Sequence, residues 1–213
     1  MEITWFGHSC FRIKGKEATL VTDPCAENLG SAIAGLTANI ITMSHQHTGH
    51  NNHSGIGGNP RTVSGPGEYE IADVFIIGMS TFHDSEQGSE RKKNTIYLIE
   101  IDGFRVCHLG DLGHVLSPQQ AEELGNVEVV LVPVGGVSTI DAKAALEVTR
   151  LLRPKIVIPM HYYAEATPNL NPVDDFLKEI GTREILPQPK LVVTRSNLPL
   201  EMQVTLLERS ILK

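Results

Sequence analysis

SHQHTGHNNH, residues Ser44–His53, places four of the chain's nine histidines within ten positions, directly after the apolar run ANIITM, residues 38–43. A short β-branched run bounded by polar residues reads as a buried strand, here one that delivers imidazoles at its end. Three more strand-like runs end in the same way: DVFIIGMSTFH on His83, FRVCHLGD on Asp111 and KIVIPMH on His161. Strand ends hold side chains rigidly, and loops leaving one edge of a layered fold can converge on a single cleft. In HQH the two imidazoles, His45 and His47, are two residues apart, which on an extended strand end puts both on one face, able to chelate one ion. Taken singly, each of these residues reads as an ordinary surface or hydrogen-bonded side chain; as a set they read as a metal centre. Imidazole and carboxylate ligands suit zinc, and also manganese or iron, and such a site leaves a position for water, as hydrolysis requires.

The rest of the chain supplies the frame. The first half reads almost entirely as strands: ITWFG, CFRIKG, ATLVTDP, NIITMSH, RTVSGPG, DVFIIGMSTFH, NTIYLIEIDG and FRVCHLGD. Asp102-Gly103 between two strand patterns predicts a hairpin. Helices follow in SPQQAEELG, with Ser117 as cap and Gly125 as stop; in DAKAALEVTRLLRP, capped by Asp141 with Ala144, Ala145, Val148, Leu151 and Leu152 on one side; and in NPVDDFLKEIG, with Asn171 as cap and Gly181 as stop. Between the helices, VEVVLVPVGG and KIVIPMHY are unbroken apolar runs, expected to be strands buried on both faces. Strands first and helix-strand units afterwards predict an α/β fold of two sheets with helices on the outer faces, in one domain spanning 1–213.

Composition narrows the class. With 41% hydrophobic and 20% charged residues the chain is in the range of soluble globular proteins, and no apolar stretch is long enough to cross a bilayer. MEITWFGHSC does not resemble a secretion signal, so a cytoplasmic location is expected. Cys10, Cys25 and Cys107 have no paired spacing, which argues against a disulfide framework and a cysteine-based zinc site. A net charge of −7 makes nucleic acid an unfavoured partner. A small-molecule substrate and no membrane are expected, and pairing of an exposed strand edge with a second copy, a homo-oligomer, stays open.

HQHTGH resembles the HxHxDH signature of the metallo-β-lactamase-fold hydrolases. FHD, HLGD and PMHY stand where that superfamily carries its later histidine, its bridging aspartate and its last histidine. FGHSCFRI, TDP, GPGEYEI and KKNTIYLIEIDG further resemble a short bacterial branch similar to L-ascorbate-6-phosphate lactonase-like proteins. The resemblance covers nearly the whole chain and implies an αββα sandwich of two mixed β-sheets, with a cleft holding one or two divalent ions, zinc first, manganese or iron otherwise. By position it implies that His45, His47 and His83 bind a first metal and His50 and His161 a second, with Asp111 bridging. It also implies that Asp23 holds a metal-binding histidine through its second ring nitrogen and that His8 lies beside the cleft, in contact with substrate or behind the ligands.

The departure is Gly49, which stands where the family has an aspartate that ligates the second metal and orients the attacking water; Thr48 does not replace it, because its side chain is placed differently. Either the second site keeps His50, His161 and Asp111, with Asp84, Glu68 or an extra water taking the lost role, or one metal binds and hydrolysis is weak. Arg91, Lys92 or Lys93 in the polar stretch after His83 would serve an anionic substrate at the rim. His53, His108, His114 and Cys107 are expected outside the chemistry. The leading expectation is a metal-dependent hydrolase using metal-activated water on an ester, lactone or phosphoester of a small anionic molecule, with Asp111, His161 and His50 at the reacting bond. The rivals are a phosphodiesterase or nuclease, and a metal-binding or ligand-sensing protein of the same fold in which Gly49 has cost the catalysis.

Overall fold

The computed structural model describes residues 1–26, 33–47, 49–83, 93–182 and 185–211. Thr48, Asp84, Arg91 and Lys92 lie outside the described residues. In chain order the strands are β1 (Glu2–Gly7), β2 (Cys10–Lys14), β3 (Thr19–Thr22), β4 (Ile40–Met43), β5 (Arg61–Ser64), β6 (Gly67–Ile71), β7 (Val74–Phe82), β8 (Lys93–Ile101) and β9 (Phe104–His108). Helix α1 (Pro118–Leu124), β10 (Val129–Pro133), α2 (Ala142–Leu152), β11 (Ile156–Met160), α3 (Val173–Glu179), β12 (Leu191–Val192) and β13 (Gln203–Val204) follow.

These strands form two mixed sheets, ordered β12-β1-β2-β3-β4-β5 and β13-β11-β10-β9-β8-β7-β6. Side-chain alternation sorts each strand between two cores. From β1, β2, β3 and β4, Ile3, Trp5, Phe11, Ile13, Leu20 and Ile40 face inward, against Tyr97, Ile99, Val106, Leu131 and Ile158 of the second sheet. The neighbouring positions of the second sheet, Ile96, Leu98, Cys107, Val130 and Val157, point the other way and pack under the helices with Leu124, Ala145, Val148 and Phe176. Strands β10 and β11 are buried at every position, as an apolar run covered on both faces requires. Each fully buried aliphatic side chain, such as Leu131 or Ile158, contributes about 1.5–3 kcal/mol.

The predicted two-sheet α/β sandwich is what the chain forms, with one difference in its covering. The outer face of the first sheet (Phe6, Cys10, Val21, Ile41 and Met43) is covered by Ile33, Leu36, Ala38 and Ile56, which among the described residues belong to no helix.

Local signals account for most element ends. Asp102 and Gly103 take φ of 53° and 74° in the two-residue turn that pairs Ile101 with Phe104, the positive-φ geometry matching strand twist. Ser117 and Gln120 form a reciprocal capping box on α1, and the Asp141 carboxylate accepts from Ala144 N–H on α2. Two helix expectations are corrected. Leu151 is exposed, and α2 instead buries Ala142, Ala145, Val148, Thr149 and Leu152. Helix α3 has Pro172 as its N-cap, with no side-chain capping bond, because Asn171 is tied to neighbouring backbone: its N–H donates to Gly135 O at 2.8 Å and its carbonyl accepts from Tyr163 N–H at 2.9 Å.

One buried hydroxyl from the middle of β8 joins the second sheet to the ends of β4 and β5. The Tyr97 O–H on β8 donates to Met43 O at 2.9 Å and accepts from Gly65 N–H at 2.8 Å. Replacing Tyr97 with phenylalanine leaves both backbone groups without this partner. It is expected to cost about 1–3 kcal/mol, read as a lower urea midpoint with unchanged slope.

Candidate metal centre

Strands β1, β3 and β4 run in the same direction in the first sheet, as do β7, β9 and β11 in the second. Their carboxy ends therefore share an edge in each sheet, and each delivers a polar side chain there: His8 after β1, Asp23 after β3, His45 after β4, His83 after β7, Asp111 after β9 and His161 after β11. After β4, His47 N–H donates to His45 O at 3.1 Å and His50 N–H to His47 O at 2.8 Å. The expected extended HQH is thus corrected, since β4 ends at Met43. The His45 and His47 rings still stack, with centroids 5.9 Å apart at 11°.

Asp111 is the meeting point. Its Oδ2 lies 3.0 Å from His83 Nε2, 3.1 Å from His50 Nε2 and 3.8 Å from His45 Nε2, and its Oδ1 lies 3.2 Å from His161 Nε2. Its backbone N–H donates to Asn94 Oδ1 at 3.0 Å, and the Asn94 amide in turn donates to Thr81 Oγ1 and Leu109 O. On the other side of His50, Asp23 Oδ2 accepts from His50 Nδ1 at 2.7 Å, which leaves Nε2 facing Asp111. Asp23 also accepts from Ser44 N–H at 2.7 Å and Ser44 Oγ–H at 2.6 Å, and that hydroxyl is 3.0 Å from His45 Nδ1. Ser44 and Asn94 had no assigned role in the sequence reading. Their signal is weak: a small polar residue following a strand, and one amide beside a lysine and a threonine at the start of another.

The electrostatics follow from two buried carboxylates among imidazoles. Burial by itself raises the Asp111 pKa, but the His161 and His50 imidazoles outweigh it and hold the carboxyl well below its usual range. Asp23 is likewise lowered, its burial overcome by His50 and His108 and by hydrogen bonds from His50 and Ser44. Burial pushes His50 down, yet Asp111 and Asp23 reverse this and hold its imidazolium up to about 10. His45 is pushed down to about 4 by burial and by His50. The cluster thus favours positive charge at its centre while keeping His45 neutral, with a lone pair to donate.

Among the described residues, three sets of donors lie within 4.8 Å of one another: His45, His83 and Asp111; His45, His47 and His50; and His8, His50 and His161. Donors bound tetrahedrally to one zinc at about 2.0–2.2 Å lie about 3.3–3.6 Å apart, so modest side-chain adjustments would draw such a set around an ion. His50 Nε2, Asp111 Oδ1, His161 Nδ1 and His8 Nδ1 are buried without a hydrogen-bond partner. Unpartnered imidazole nitrogens and a carboxylate oxygen gathered in one buried cluster are groups that a divalent cation satisfies. The residues present fit a metal centre.

The cluster forms one wall of a cleft of about 770 Å³ whose opposite wall is Val137–Thr139 and 166–170. His8 lines this cleft. Glu68, a candidate for the role lost at Gly49, is instead exposed on β6, the outermost strand of its sheet, and is not part of the wall. His108 Nε2 donates to Ser9 O at 2.9 Å, and His114 accepts from Phe82 N–H and donates to Val115 O; both brace loops of the centre from outside it. His53 is exposed, and Cys107 is buried, its thiol pushed up to about 12 by burial.

Two β-sheets whose strand ends gather histidines and one shared carboxylate define a metallo-β-lactamase-type sandwich. Residues 2–161 match the beta-lactamase superfamily domain, and the chain belongs to that family. A UPF0173 protein of Pyrococcus furiosus is 30% identical over 87% of this chain and 93% of its own length. A UPF0173 metal-dependent hydrolase of Pyrococcus abyssi is 26% identical over 95% of this chain and its whole length. The crystal structure of a proposed zinc-dependent hydrolase of the metallo-β-lactamase superfamily from Thermotoga maritima matches with a TM-score of 0.83 and 42% identity, covering 99% of both chains.

Two outcomes follow from this geometry. Asp23→Asn removes the anchor that aims His50 and is expected to weaken zinc binding about 10–100-fold in competition with a chelating dye. In EDTA, His50, whose pKa is raised from 6.5 to about 10, contributes stability that is complete below pH 6.5 and lost as the pH rises through about 10. The thermal midpoint of the chelated protein should therefore fall across that interval.

Proposed function

We propose that this chain is a metal-dependent hydrolase acting on an ester, lactone or phosphoester bond of a small molecule, with the cluster at the strand ends as its reacting centre. The observation that carries the reading is the Asp111 carboxylate, whose two oxygens lie 3.0–3.2 Å from nitrogens of His50, His83 and His161, on loops from both sheets. A carboxylate so placed can bridge two ions, with His45, His47 and His83 as donors on one side and His50 and His161 on the other. Zinc, manganese or iron held there would lower the pKa of a coordinated water toward neutrality and polarise the bond under attack.

The chain's own residues supply the positioning. Asp23 and Ser44 orient His50 and His45, Asn94 holds the Asp111 backbone, and the dry packing beneath the cluster strengthens every charge interaction within it. The cleft has the volume of a small-molecule site. Among the described residues that line it there is no lysine or arginine, and the chain's net charge is −7. Both support a small molecule over a polynucleotide, and bound ions would themselves attract an anionic substrate group. The likeness of FGHSCFRI and GPGEYEI to lactonase-like proteins supports lactones among the first substrates to screen.

His45→Ala and Asp111→Ala are each expected to lose bound metal and to lower hydrolysis of lactones and bis-p-nitrophenyl phosphate by more than about 100-fold, with unchanged circular dichroism. Hydrolysis that persists at the wild-type rate in chelator-treated protein would overturn the reading.

A further inference from the structure

Gly49 stands where the HxHxDH signature has aspartate, and the structure shows what lies beside it. A Cβ built on Gly49 would lie 3.1 Å from His8 Nε2, 3.3 Å from His8 Cδ2 and 3.3 Å from His47 Nδ1. A side chain at position 49 would therefore press on the His8 imidazole, which would have to give by a few tenths of an ångström. His8 is held where it is by its backbone. It sits at φ 51° in the turn after β1, and its carbonyl accepts from the Trp5 indole N–H at 3.0 Å and from the His161 backbone N–H at 3.3 Å. The last bond ties the turn of the first sheet to the His161 loop of the second.

The ring is correspondingly close to the second-site donors. Its centroid is 4.0 Å from that of His161 and 5.0 Å from that of His50, and one nitrogen from each of the three lies within 4.8 Å of the others. A left-handed backbone at a non-glycine residue beside a cleft is a strained conformation that a fold retains where the side chain is needed. The His8 Nδ1 is buried without a hydrogen-bond partner, as are His50 Nε2 and His161 Nδ1.

We propose that His8 takes the place of the motif aspartate as a ligand of the second metal, completing with His50, His161 and the shared Asp111 a set of three imidazoles and one carboxylate. The inference rests on the metal-centre reading above and deepens it. Four protein donors suit a divalent ion such as zinc. Exchanging a carboxylate for a neutral imidazole leaves the second site one unit more positive, which strengthens its hold on an anionic substrate group. Gly49 then leaves the His8 imidazole unhindered beside the second site, rather than marking a lesion.

The test is metal stoichiometry, with no reliance on activity. Zinc per chain is measured by elemental analysis, affinities by isothermal titration, and ligand geometry by the visible spectrum of the cobalt-loaded protein. His8→Asn is the variant, since asparagine tolerates positive φ but does not reach as far. The wild type should bind two equivalents. His8→Asn should bind one at unchanged affinity, with the second weakened at least about 100-fold and its cobalt bands lost. The double variant His8→Asn, Gly49→Asp should regain the second equivalent. Two equivalents at wild-type affinity in His8→Asn would overturn the role of His8 while leaving the metal centre standing, as would a wild type that binds one ion regardless of His8. No binding by the wild type under any condition would sink the metal-centre reading itself. If His8→Asn fails to fold, diethyl pyrocarbonate labelling of the wild type decides: His8 should be protected by the second equivalent and not by the first, and equal labelling at zero, one and two equivalents would overturn the proposal.

Discussion

An ionised carboxylate buried between two sheets is costly unless opposite charge and hydrogen bonds compensate it, and Asp111 is such a group. Its compensation comes from imidazoles of both sheets, so the sandwich must close with its strand ends in register before the carboxylate is tolerated. The arrangement is reinforced from behind. Asp23 fixes His50, Ser44 links Asp23 to His45, Asn94 holds the Asp111 backbone, and Tyr97 ties β8 to Met43 and Gly65. The polar groups that shape the site are thus also cross-links between layers, which couples the integrity of the fold to the geometry of the centre.

The same constraint explains the glycines at the centre. A Cβ on Gly110 would lie 2.4 Å from Asn94 Oδ1 and 2.5 Å from Ser44 Cβ, and one on Gly135 would lie 2.2 Å from His161 O. Loops that carry ligands from two sheets into one cleft crowd each other there, against backbone at Gly135 and against the Asn94 and Ser44 side chains at Gly110, and a residue without a side chain fits. Gly49 is a milder case of the same crowding, with the His8 and His47 rings as its neighbours.

Much of the frame is written in adjacent residues. Alternation along β1, β2 and β9 marks which side chains face the central core, the unbroken runs of β10 and β11 mark the doubly covered strands, and Ser117, Asp141 and Asp102-Gly103 mark their own caps and turn. Where the local signals mislead, a tertiary contact has displaced them. Asn171 has a capping side chain, but its backbone is engaged by Gly135 and Tyr163. HQH looks like the end of a strand, but the chain turns there to bring His50 between two carboxylates. Glu68 has the chemistry of a proton-transfer group and sits on an outer strand, away from the cleft wall.

By itself the sequence determined the composition of the centre: histidines and one aspartate at the ends of apolar runs, in an order that resembles one superfamily, because ligand types and strand periodicity are properties of short stretches. Which nitrogens face one another, that Ser44 and Asn94 position the ligands, and that the His8 imidazole lies beside Gly49 were decided only by the tertiary structure. The physical reason is that these relations depend on distances across two sheets, set by packing of the central core and by backbone hydrogen bonds such as His161 N–H to His8 O, which no local pattern encodes.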